Sequence, residues 1–355
     1  MNEIEKKAYL AEQYIAATKQ KQSGAIDRLS TLQFSAEEAY GEKRDWQIGP
    51  FRLMEEATFH KAEQWYDPLD IGWKCGFLFN PSLLVKDEKI YMFYRAAPKK
   101  ETLCSRIGLA IYDGEKWEDC REPLLYPVED NELISVEDPK VYPYEGGYVM
   151  FYNGIYEPDP AALAKANAES DYKVGLGVDM KYATSKDLIH WERGGLVVPI
   201  EISKFWVKAA VLPKDESGQA VRIGGEYLMF ISEGCGGKQY IGHSKDMLHW
   251  DFECCEYLDV SSKGHLHEVA CAVVMGDKLI LDFFYSDKNG QFKAGQALYS
   301  IGDYRHQLQL ADGGTLSWGG LVKYKGKWTF AQGWDAKDFD LDMFLYCEES
   351  QQQES

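Results

Sequence analysis

The sequence lacks any long hydrophobic run. No stretch of roughly 18 or more consecutive apolar residues occurs among its 355 residues, and a helix that crosses a membrane needs about 20. The amino-terminal segment MNEIEKKAYLAEQYIAATKQKQ also lacks the apolar region and the small-residue cleavage site of a secretory signal. We therefore expect no membrane partner and a cytoplasmic location.

Cysteines with metal-binding spacing are absent as well. The chain has eight cysteines, none of them in a C-x-x-C motif, and Cys254 and Cys255 are adjacent. Free thiols in a reducing compartment explain this pattern better than a disulfide framework or a zinc site does. We expect neither a metal ion nor another cofactor.

Positive charge is in deficit. The chain has 39 Lys and Arg against 57 Asp and Glu, a net charge of −18, which would repel a nucleic-acid backbone over most of the surface. A nucleic-acid partner is therefore not expected, whereas a local cationic pocket for a small anion remains compatible with the composition. Aromatic residues make up 14% of the chain, which suits sheets and also a pocket that stacks on sugar rings.

Residues 1–45 form a separate element. Apolar side chains recur there with helical spacing, at Ile4, Ala8, Ala11 and Ile15. This pattern predicts an N-terminal helical arm that packs on the rest of the chain or on another subunit, so the arm is a candidate contact of a homo-oligomer. Residues 348–355 are predicted to be a disordered tail.

Residues 46–347 contain five copies of one plan, in which a short strand, a turn with Gly or Asp, and an aromatic strand with a polar end follow one another. The copies begin at Asn80, Glu137, Lys208, Glu268 and Trp318. Repeats of this size predict an all-β fold, a five-bladed β-propeller. A β-sandwich is the alternative.

A second repeat favours the propeller over the sandwich. YATSKDLIHW and YIGHSKDMLHW share S-K-D-x-x-H-W, and LAIYDGEKW is a looser copy. A residue repeated between blades usually serves the blade. We therefore predict structural roles for His190 and His249.

The polar residues at the strand ends are predicted to form one site. In a propeller the start of each innermost strand and the end of the next strand lie at the same funnel mouth. These positions are Asn80, Arg95, Asp138, Asn153, Lys208, Glu233, Glu268, Asp287, Trp318 and Asp335. Several carboxylates among cations and aromatics are what a glycosidase cleft needs, although a sugar-binding site without catalysis would look similar.

An insertion follows the second aromatic strand, over residues 156–180. Asp159 and Pro160 form a plausible N-cap and first residue of a short Ala-rich helix. The insertion is predicted to overhang the funnel mouth as a lid or a subsite wall, and a passive surface decoration is the alternative.

Four motifs in register resemble glycoside hydrolase family 130, over residues 70–345. They are FNPSLLVKDEKIYMFYRA, SRIGLAIYDG, SVEDPKV, and YATSKDLIHWERGG followed by KAAVLP. The family consists of five-bladed propellers that act as β-mannoside phosphorylases or β-mannosidases. The resemblance implies that Asp138 is the general acid, which in phosphorylases protonates the leaving oxygen through a sugar hydroxyl. It also matches Asn80–Pro81 to the family's N-P motif, and Arg95 to a contact with substrate or anion.

Two positions depart from the family's pattern. Lys140 replaces the arginine of E-D-P-R, so a point charge stands where the family has a bidentate fork. Ile231-Ser232-Glu233 replaces a His-Arg that helps phosphorylases to hold inorganic phosphate. A carboxylate there disfavours a phosphate dianion and suits a base that activates water.

The sequence therefore predicts an inverting glycosidase that hydrolyses β-mannosides in oligosaccharides, with Asp138 as acid and Glu233 as base. Glu157 and Glu268 are the second and third candidates for the base. A β-mannoside phosphorylase that uses inorganic phosphate and a non-catalytic carbohydrate-binding propeller remain as alternatives. Substrate contacts are predicted for Asn80, Arg95, Lys140, Asn153, Glu157, Lys208, His267, Glu268, Asp287 and Asp335.

Two neighbours of these residues need separate interpretations. Adjacent side chains on a strand point to opposite faces, so Glu137 is predicted to lie between blades, paired with a cation or backbone amides, if Asp138 faces the funnel. His265 and His267 share one face and precede Glu268, which resembles a partial metal site. Without a third placed ligand, hydrogen bonding to sugar is the better interpretation.

Overall fold

The chain folds into a ring of β-sheets that its first strands help to close. The computed structural model describes residues 1–19, 39–67, 73–74, 76–97, 104–315, 320–333 and 342–349. Strands β1 (Phe51–Leu53) and β2 (Phe59–His60) precede the first complete sheet but pair with the last strand of the chain. A 3-10 turn, Glu55–Ala57, connects them.

The first two blades are four-stranded antiparallel sheets whose strands follow chain order. The first contains β3 (Phe77–Lys86), β4 (Lys89–Ala97), β5 (Arg106–Tyr112) and β6 (Trp117–Asp119). The second contains β7 (Ser135–Tyr144), β8 (Gly147–Tyr156), β9 (Gly177–Ser185) and β10 (Trp191–Leu196). A 3-10 turn, Asp130–Glu132, precedes the second blade.

The third blade has an interrupted innermost strand. The two parts of this strand are β11 (Val207–Lys208) and β12 (Pro213–Lys214). The strands that follow are β13 (Arg222–Ile223), β14 (Glu226–Ile231), β15 (Glu233–Gly234), β16 (Tyr240–Ser244) and β17 (Asp251–Cys254). β11 pairs with β15 inside the blade, whereas β12 leaves it and pairs in parallel with the next blade.

The last two blades complete the ring. The fourth contains β18 (Gly264–Met275), β19 (Lys278–Asp287), β20 (Phe292–Ser300) and β21 (Gln309–Asp312). The fifth contains β22 (Val322–Tyr324), β23 (Lys327–Gln332) and β24 (Asp342–Glu348), to which β1 and β2 add. The predicted five-bladed β-propeller is confirmed.

Five apolar clusters hold the blades together, and each lies between two neighbouring blades. Phe93 and Met150 meet between the first and second blades, and Phe51 packs edge-on against Phe330 in the cluster that joins the fourth and fifth. Consecutive residues of a strand join opposite clusters, as in β4, where Met92 and Tyr94 face the fifth blade and Phe93 faces the second. This is expected for sheets that are packed on both faces.

In the described ranges three helices lie outside the ring, α1 (Glu3–Lys19), α2 (Pro160–Ala168) and α3 (Ile200–Ser203). The predicted arm helix is present, but its predicted apolar face is wrong. Ile4 is 83% exposed and Ile15 is 50% exposed, whereas Leu10 is 1% exposed and Tyr9 packs on Ile155. Residues 20–38 of the arm and 350–355 of the tail lie outside the described residues.

None of the helices that the structure describes combines the length and the apolar character that a membrane crossing requires. The cysteines of the described ranges carry free thiols.

Candidate active site

Two bulges in the innermost strands shape the predicted site. Pairing between β7 and β8 shifts register between Glu137 and Lys140, and Asp138 has a left-handed φ of 55°. The first blade repeats this geometry, because β3 shifts register between Phe79 and Ser82, and Asn80 has a φ of 49°. Asn and Asp are the non-glycine residues that best tolerate this conformation. The prolines that follow need no ladder partner for a backbone N–H.

The bulge places both acids of the E-D-P motif against the same two cations. Lys208 Nζ lies 2.7 Å from Asp138 Oδ2 and 2.9 Å from Glu137 Oε2. Arg95 Nη1 lies 2.5 Å from Glu137 Oε2 and 3.5 Å from Asp138 Oδ1. The prediction that Glu137 pairs with a cation is confirmed. The prediction that the two acids face opposite sides is wrong, because the bulge interrupts the pleat on which it rested.

Arg95 is fixed by more than its ion pairs. Its Nε donates to Ser105 Oγ at 2.7 Å, and its guanidinium lies 4.3 Å from the centre of the Phe79 ring. Ser105 had not been predicted. It directly precedes β5 in the S-R-I-G segment, and only the folded structure shows that its hydroxyl reaches Arg95.

A second group of charged residues adjoins the first. Lys140 Nζ donates to Glu268 Oε1 at 2.8 Å, and both side chains are buried. Carboxylate or imidazole atoms of Glu233, His267 and Glu268 lie within 4.8 Å of one another. This set could hold a metal ion, but a cation that entered there would compete with the Lys140 ammonium for Glu268.

Glu233 is joined to the first group through the backbone. It is the cross-strand partner of Lys208 in the β11–β15 pair, and the Lys208 amine contacts Asp138. His267 beside it stacks on Phe284, with 4.8 Å between ring centres, and its Nδ1 is buried without a hydrogen-bond partner. The strand-end residues of the second, third and fourth blades thus meet at one place.

The two predicted catalytic carboxyls have oppositely shifted pKa values. Burial raises the pKa of Asp138, but the attraction of Lys208 and Arg95 outweighs it, so that pKa lies below its ordinary value. The pKa of Glu233 lies above its ordinary value because burial disfavours its charge, against the effect of His267, and because Glu268 adds repulsion. In the free site, Glu233 therefore holds a proton more tightly than Asp138 does.

A cavity of about 580 Å³ opens beside Glu233, a volume in the usual range of ligand pockets. One wall comes from the insertion, at Tyr172 and Lys173, and Trp206 and His267 line it as well. Asp159 caps α2 by accepting from the Ala162 amide at 2.8 Å, as predicted. The contribution of the insertion to this cavity favours a wall over a surface decoration.

Three of the predicted substrate contacts are exposed or have other partners, and a fourth lies outside the described residues. Asn153 is buried and donates to the Val207 carbonyl at 2.8 Å, which ties the second blade to the third. Asp287 accepts from the amides of Asn289 and Gln291 in its own turn. Asp287 thus stabilises the turn that follows β19, and its contact with substrate stays a prediction. Glu157 is exposed just after β8, and Asp335 lies outside the described residues, as Trp318 does.

The repeated S-K-D-x-x-H-W motifs form exposed turns. Asp187 accepts from the amides of Ile189 and His190 and from His190 Nδ1, and Asp246 does the same with Leu248 and His249. The His190 and His249 side chains are 87% and 84% exposed. Their structural role agrees with the prediction from the repeat.

Comparison with known families gives one match along the middle of the chain. Residues 72–268 match the glycoside hydrolase family 130 model, which is described as beta-1,4-mannooligosaccharide phosphorylase. The match includes Asp138, Glu233 and Glu268.

Two curated relatives come from a Thermoanaerobacter species. A 1,2-beta-oligomannan phosphorylase is 28% identical over 161 residues, which cover 44% of this chain and 48% of the relative. A beta-1,2-mannobiose phosphorylase is 30% identical over 95 residues, which cover 23% of this chain and 32% of the relative. The chain thus spans half or less of the length of the curated relatives it matches.

Solved structures show the same fold at lower identity. A putative glycoside hydrolase from Parabacteroides distasonis has a TM-score of 0.65 at 20% identity, over 86% of this chain and 98% of its own. A structure from the GH130 family of mannoside phosphorylases, which contains glycoside hydrolases that target beta-1,2 mannosidic linkages in Candida mannan, has a TM-score of 0.63 at 18% identity. The match covers 85% of this chain and 95% of that one. A beta-1,2-mannobiose phosphorylase from Listeria innocua has a TM-score of 0.57 at 14% identity, over 77% and 89%.

Proposed function

The chain belongs to glycoside hydrolase family 130, and from this premise we propose that it cleaves β-mannosidic bonds in oligosaccharides by hydrolysis with inversion. Asp138 is the proposed general acid and Glu233 the proposed base. The remaining charged residues of the site position these two groups and bind sugar hydroxyls.

The observation that carries hydrolysis is the charge balance of the site. In the described part of the chain, each cation of the cluster already contacts at least one carboxylate, as the pairs of Arg95, Lys140 and Lys208 show. Three carboxylates pair with these cations, namely Glu137, Asp138 and Glu268, and Glu233 adds a fourth beside them. A phosphate dianion would add charge of the sign already in excess and would have to displace existing ion pairs. Water needs no such displacement.

The proposed mechanism uses one proton transfer at each side of the sugar. Asp138 donates a proton towards the leaving oxygen as the glycosidic bond breaks, and Glu233 accepts a proton from the attacking water. Lys208 contacts Asp138 and is the backbone partner of Glu233, so a single short strand pair supports both groups. Inversion follows because water attacks from the face opposite the leaving group.

The pKa shifts make the productive protonation state the minor one. Hydrolysis with these roles needs Asp138 protonated and Glu233 ionised, the reverse of the order favoured in the free site. The two groups interact, so we expect a bell-shaped pH profile whose limbs belong to the pair. Only a fraction of the enzyme is competent even at the optimum.

Incubation with β-1,2- and β-1,4-mannobiose, each with and without inorganic phosphate, tests the proposal. Hydrolysis predicts free mannose at equal rates in both buffers, with the α-anomer formed first, as seen by proton NMR. Strict dependence on phosphate, with mannose 1-phosphate as the product, would contradict it. Binding without turnover in every condition would indicate a carbohydrate-binding module instead.

Phosphorolysis is the second candidate, favoured by the names of the two curated relatives, both of which are phosphorylases. In this case phosphate replaces water and Glu233 has no role as base. The two candidate functions therefore assign different roles to Glu233, and the activity of the Glu233→Gln variant distinguishes them.

A further inference from the structure

Glu137 stands out because it is buried and acidic beside the proposed general acid. Its side chain is 1% exposed, and a buried carboxylate is costly unless it is paired. One oxygen, Oε2, contacts both Arg95 and Lys208, whereas Oε1 is buried without a hydrogen-bond partner. A carboxylate buried in such surroundings interacts strongly with these two cations.

We infer that Glu137 is a positioning residue that shares Arg95 and Lys208 with Asp138 and so prevents the two cations from acting on Asp138 alone. The inference rests on the proposed role of Asp138 as acid. It follows from the contacts, since the Lys208 amine lies 2.9 Å from Glu137 and 2.7 Å from Asp138, and Arg95 is closer to Glu137 than to Asp138.

The sharing matters because a general acid must be able to hold a proton. Two cations without Glu137 would stabilise the Asp138 carboxylate further, and the proton would be lost at lower pH. With Glu137 present, two negative charges face two positive ones, and protonation of Asp138 leaves a single net positive charge. The bulge creates this arrangement, because a regular strand would send Glu137 to the other face.

The other charged groups around Asp138 come from several strands. Lys140 on β7 attracts it, and Glu233 on β15 repels it. Glu268 on β18 neutralises Lys140 through its ion pair. None of these side chains contacts both cations, so Glu137 alone among the described residues is placed to divide their charge with Asp138.

Two variants that are expected to shift the titration of Asp138 in opposite directions test the inference. Glu137→Gln removes the competing charge, so the carboxyl of Asp138 is expected to titrate about one pH unit or more lower. Because Asp138 loses its proton at lower pH than Glu233 does, the acidic limb of kcat/KM is expected to move with it. Lys208→Met removes a cation and is expected to move both upwards. The titration is followed by NMR of protein carrying ¹³C at aspartate carboxyl carbons, with the Asp138 signal identified by its absence in Asp138→Asn.

Two further variants complete the design. Glu137→Asp keeps the charge and is expected to bring the titration back towards that of the native protein. Glu216→Gln removes a surface charge paired with Lys323 and is expected to leave the titration unchanged. If Glu137→Gln does not fold, Lys208→Met still tests whether the shared cation controls the titration of Asp138.

The inference is overturned if Asp138 titrates as in the native protein in Glu137→Gln, or if both variants move it in the same direction. A purely structural Glu137 would lower stability without moving the titration. Absence of turnover by the native protein would contradict the proposed function, and the NMR titration, which needs no substrate, would still test the sharing.

Discussion

At the bulges of the first and second blades, Asn80 and Asp138 adopt the same left-handed backbone conformation, and each precedes a proline. In the second blade this local geometry interrupts the regular alternation, so that Glu137 and Asp138 contact the same two cations. An amide stands at one bulge and a carboxyl at the other, so the backbone accepts both. Substitution between these two residue types therefore separates chemistry from folding.

Asp138→Asn is expected to lower kcat for mannobiose by about 10²–10⁴-fold, the usual contribution of a general acid. Stability should change little, because Asn suits the bulge, as Asn80 shows. Aryl mannosides with good leaving groups need little protonation and should lose far less activity. The measurements are steady-state rates on both substrate classes and the melting temperature. Equal loss on both would contradict the role of acid.

Glu233→Gln is expected to lower hydrolysis by about 10²-fold or more, for mannobiose and activated aryl mannosides alike, because attack by water still needs a base. Rates are measured with and without phosphate. Near-native turnover that requires phosphate would support phosphorolysis. Recovery on aryl mannosides only would show that Glu233 is the acid, in line with its raised pKa.

Sequence reasoning could find the charged residues but not how they pair. Asp138, Lys208, Glu233 and Glu268 were predicted from strand ends, and they do meet. The joint contact of Glu137 and Asp138 with the same cations was missed, because alternation along a strand is a reliable rule only where no bulge occurs. An adjacent acid pair before proline is the signal that could have indicated the bulge.

At the scale of elements, the outer hairpins use one turn repeatedly. Asp187, Asp246 and Asp303 each bind the imidazole three residues later, although the third copy was not recognised from sequence because it reads S-I-G-D-Y-R-H. Asp187 and Asp246 also accept backbone amides. These aspartates therefore stabilise the connection between the third and fourth strands of their blades.

Asp187→Ala is expected to lower the free energy of unfolding by about 1 kcal/mol at pH 7, as the loss of a cap does. Hydrogen bonds from His190 hold the pKa of Asp187 below its ordinary value. The contribution is therefore present above about pH 4 and is lost as pH falls further, so native and variant proteins should converge at low pH.

Denaturant titrations at pH 7 and pH 3 measure this difference. Asp277→Ala is the control, since that side chain is 88% exposed and pairs with the neighbouring Lys278. A loss that is the same at both pH values would show that the ionised carboxylate is not the stabilising form.

The elements that escaped prediction have irregular pairing. The interrupted inner strand of the third blade sends β12 to the fourth blade, and no residue pattern distinguishes this pairing from a continuous strand. The helix of the insertion was predictable because its cap is local, with Asp159 and Pro160 adjacent in sequence. The cavity wall that the insertion forms depends on residues distant in sequence, so the sequence alone does not distinguish a wall from a surface decoration.

At the scale of the whole molecule, stability depends on closure of the ring. The five apolar clusters between blades form a continuous belt, and the cluster that contains Phe51 joins the first strand of the chain to the fourth and fifth blades. Closure was not predictable from the repeats, because β1 and β2 are only three and two residues long and resemble no blade strand.

Phe51→Ala is expected to lower the free energy of unfolding by about 3–5 kcal/mol, because the ring is 3% exposed and packs on Phe330 at 5.0 Å. Equilibrium unfolding in urea measures the loss. Leu308→Ala, at a side chain that is 60% exposed, is the control and should change stability by less than about 0.5 kcal/mol. A small effect of Phe51→Ala would show that the ring is stable without this closing strand.

The pairing of β1 with β24 has a consequence for how the protein is made. Phe51 and Glu348 are paired neighbours in the sheet but almost three hundred residues apart in the chain. During synthesis, β1 leaves the ribosome early and has no partner until nearly all the other strands have followed it. The fifth blade is therefore the last to become complete, and contacts of such long range slow folding. Four blades can assemble as they emerge, while the segment that locks them waits for the last strand.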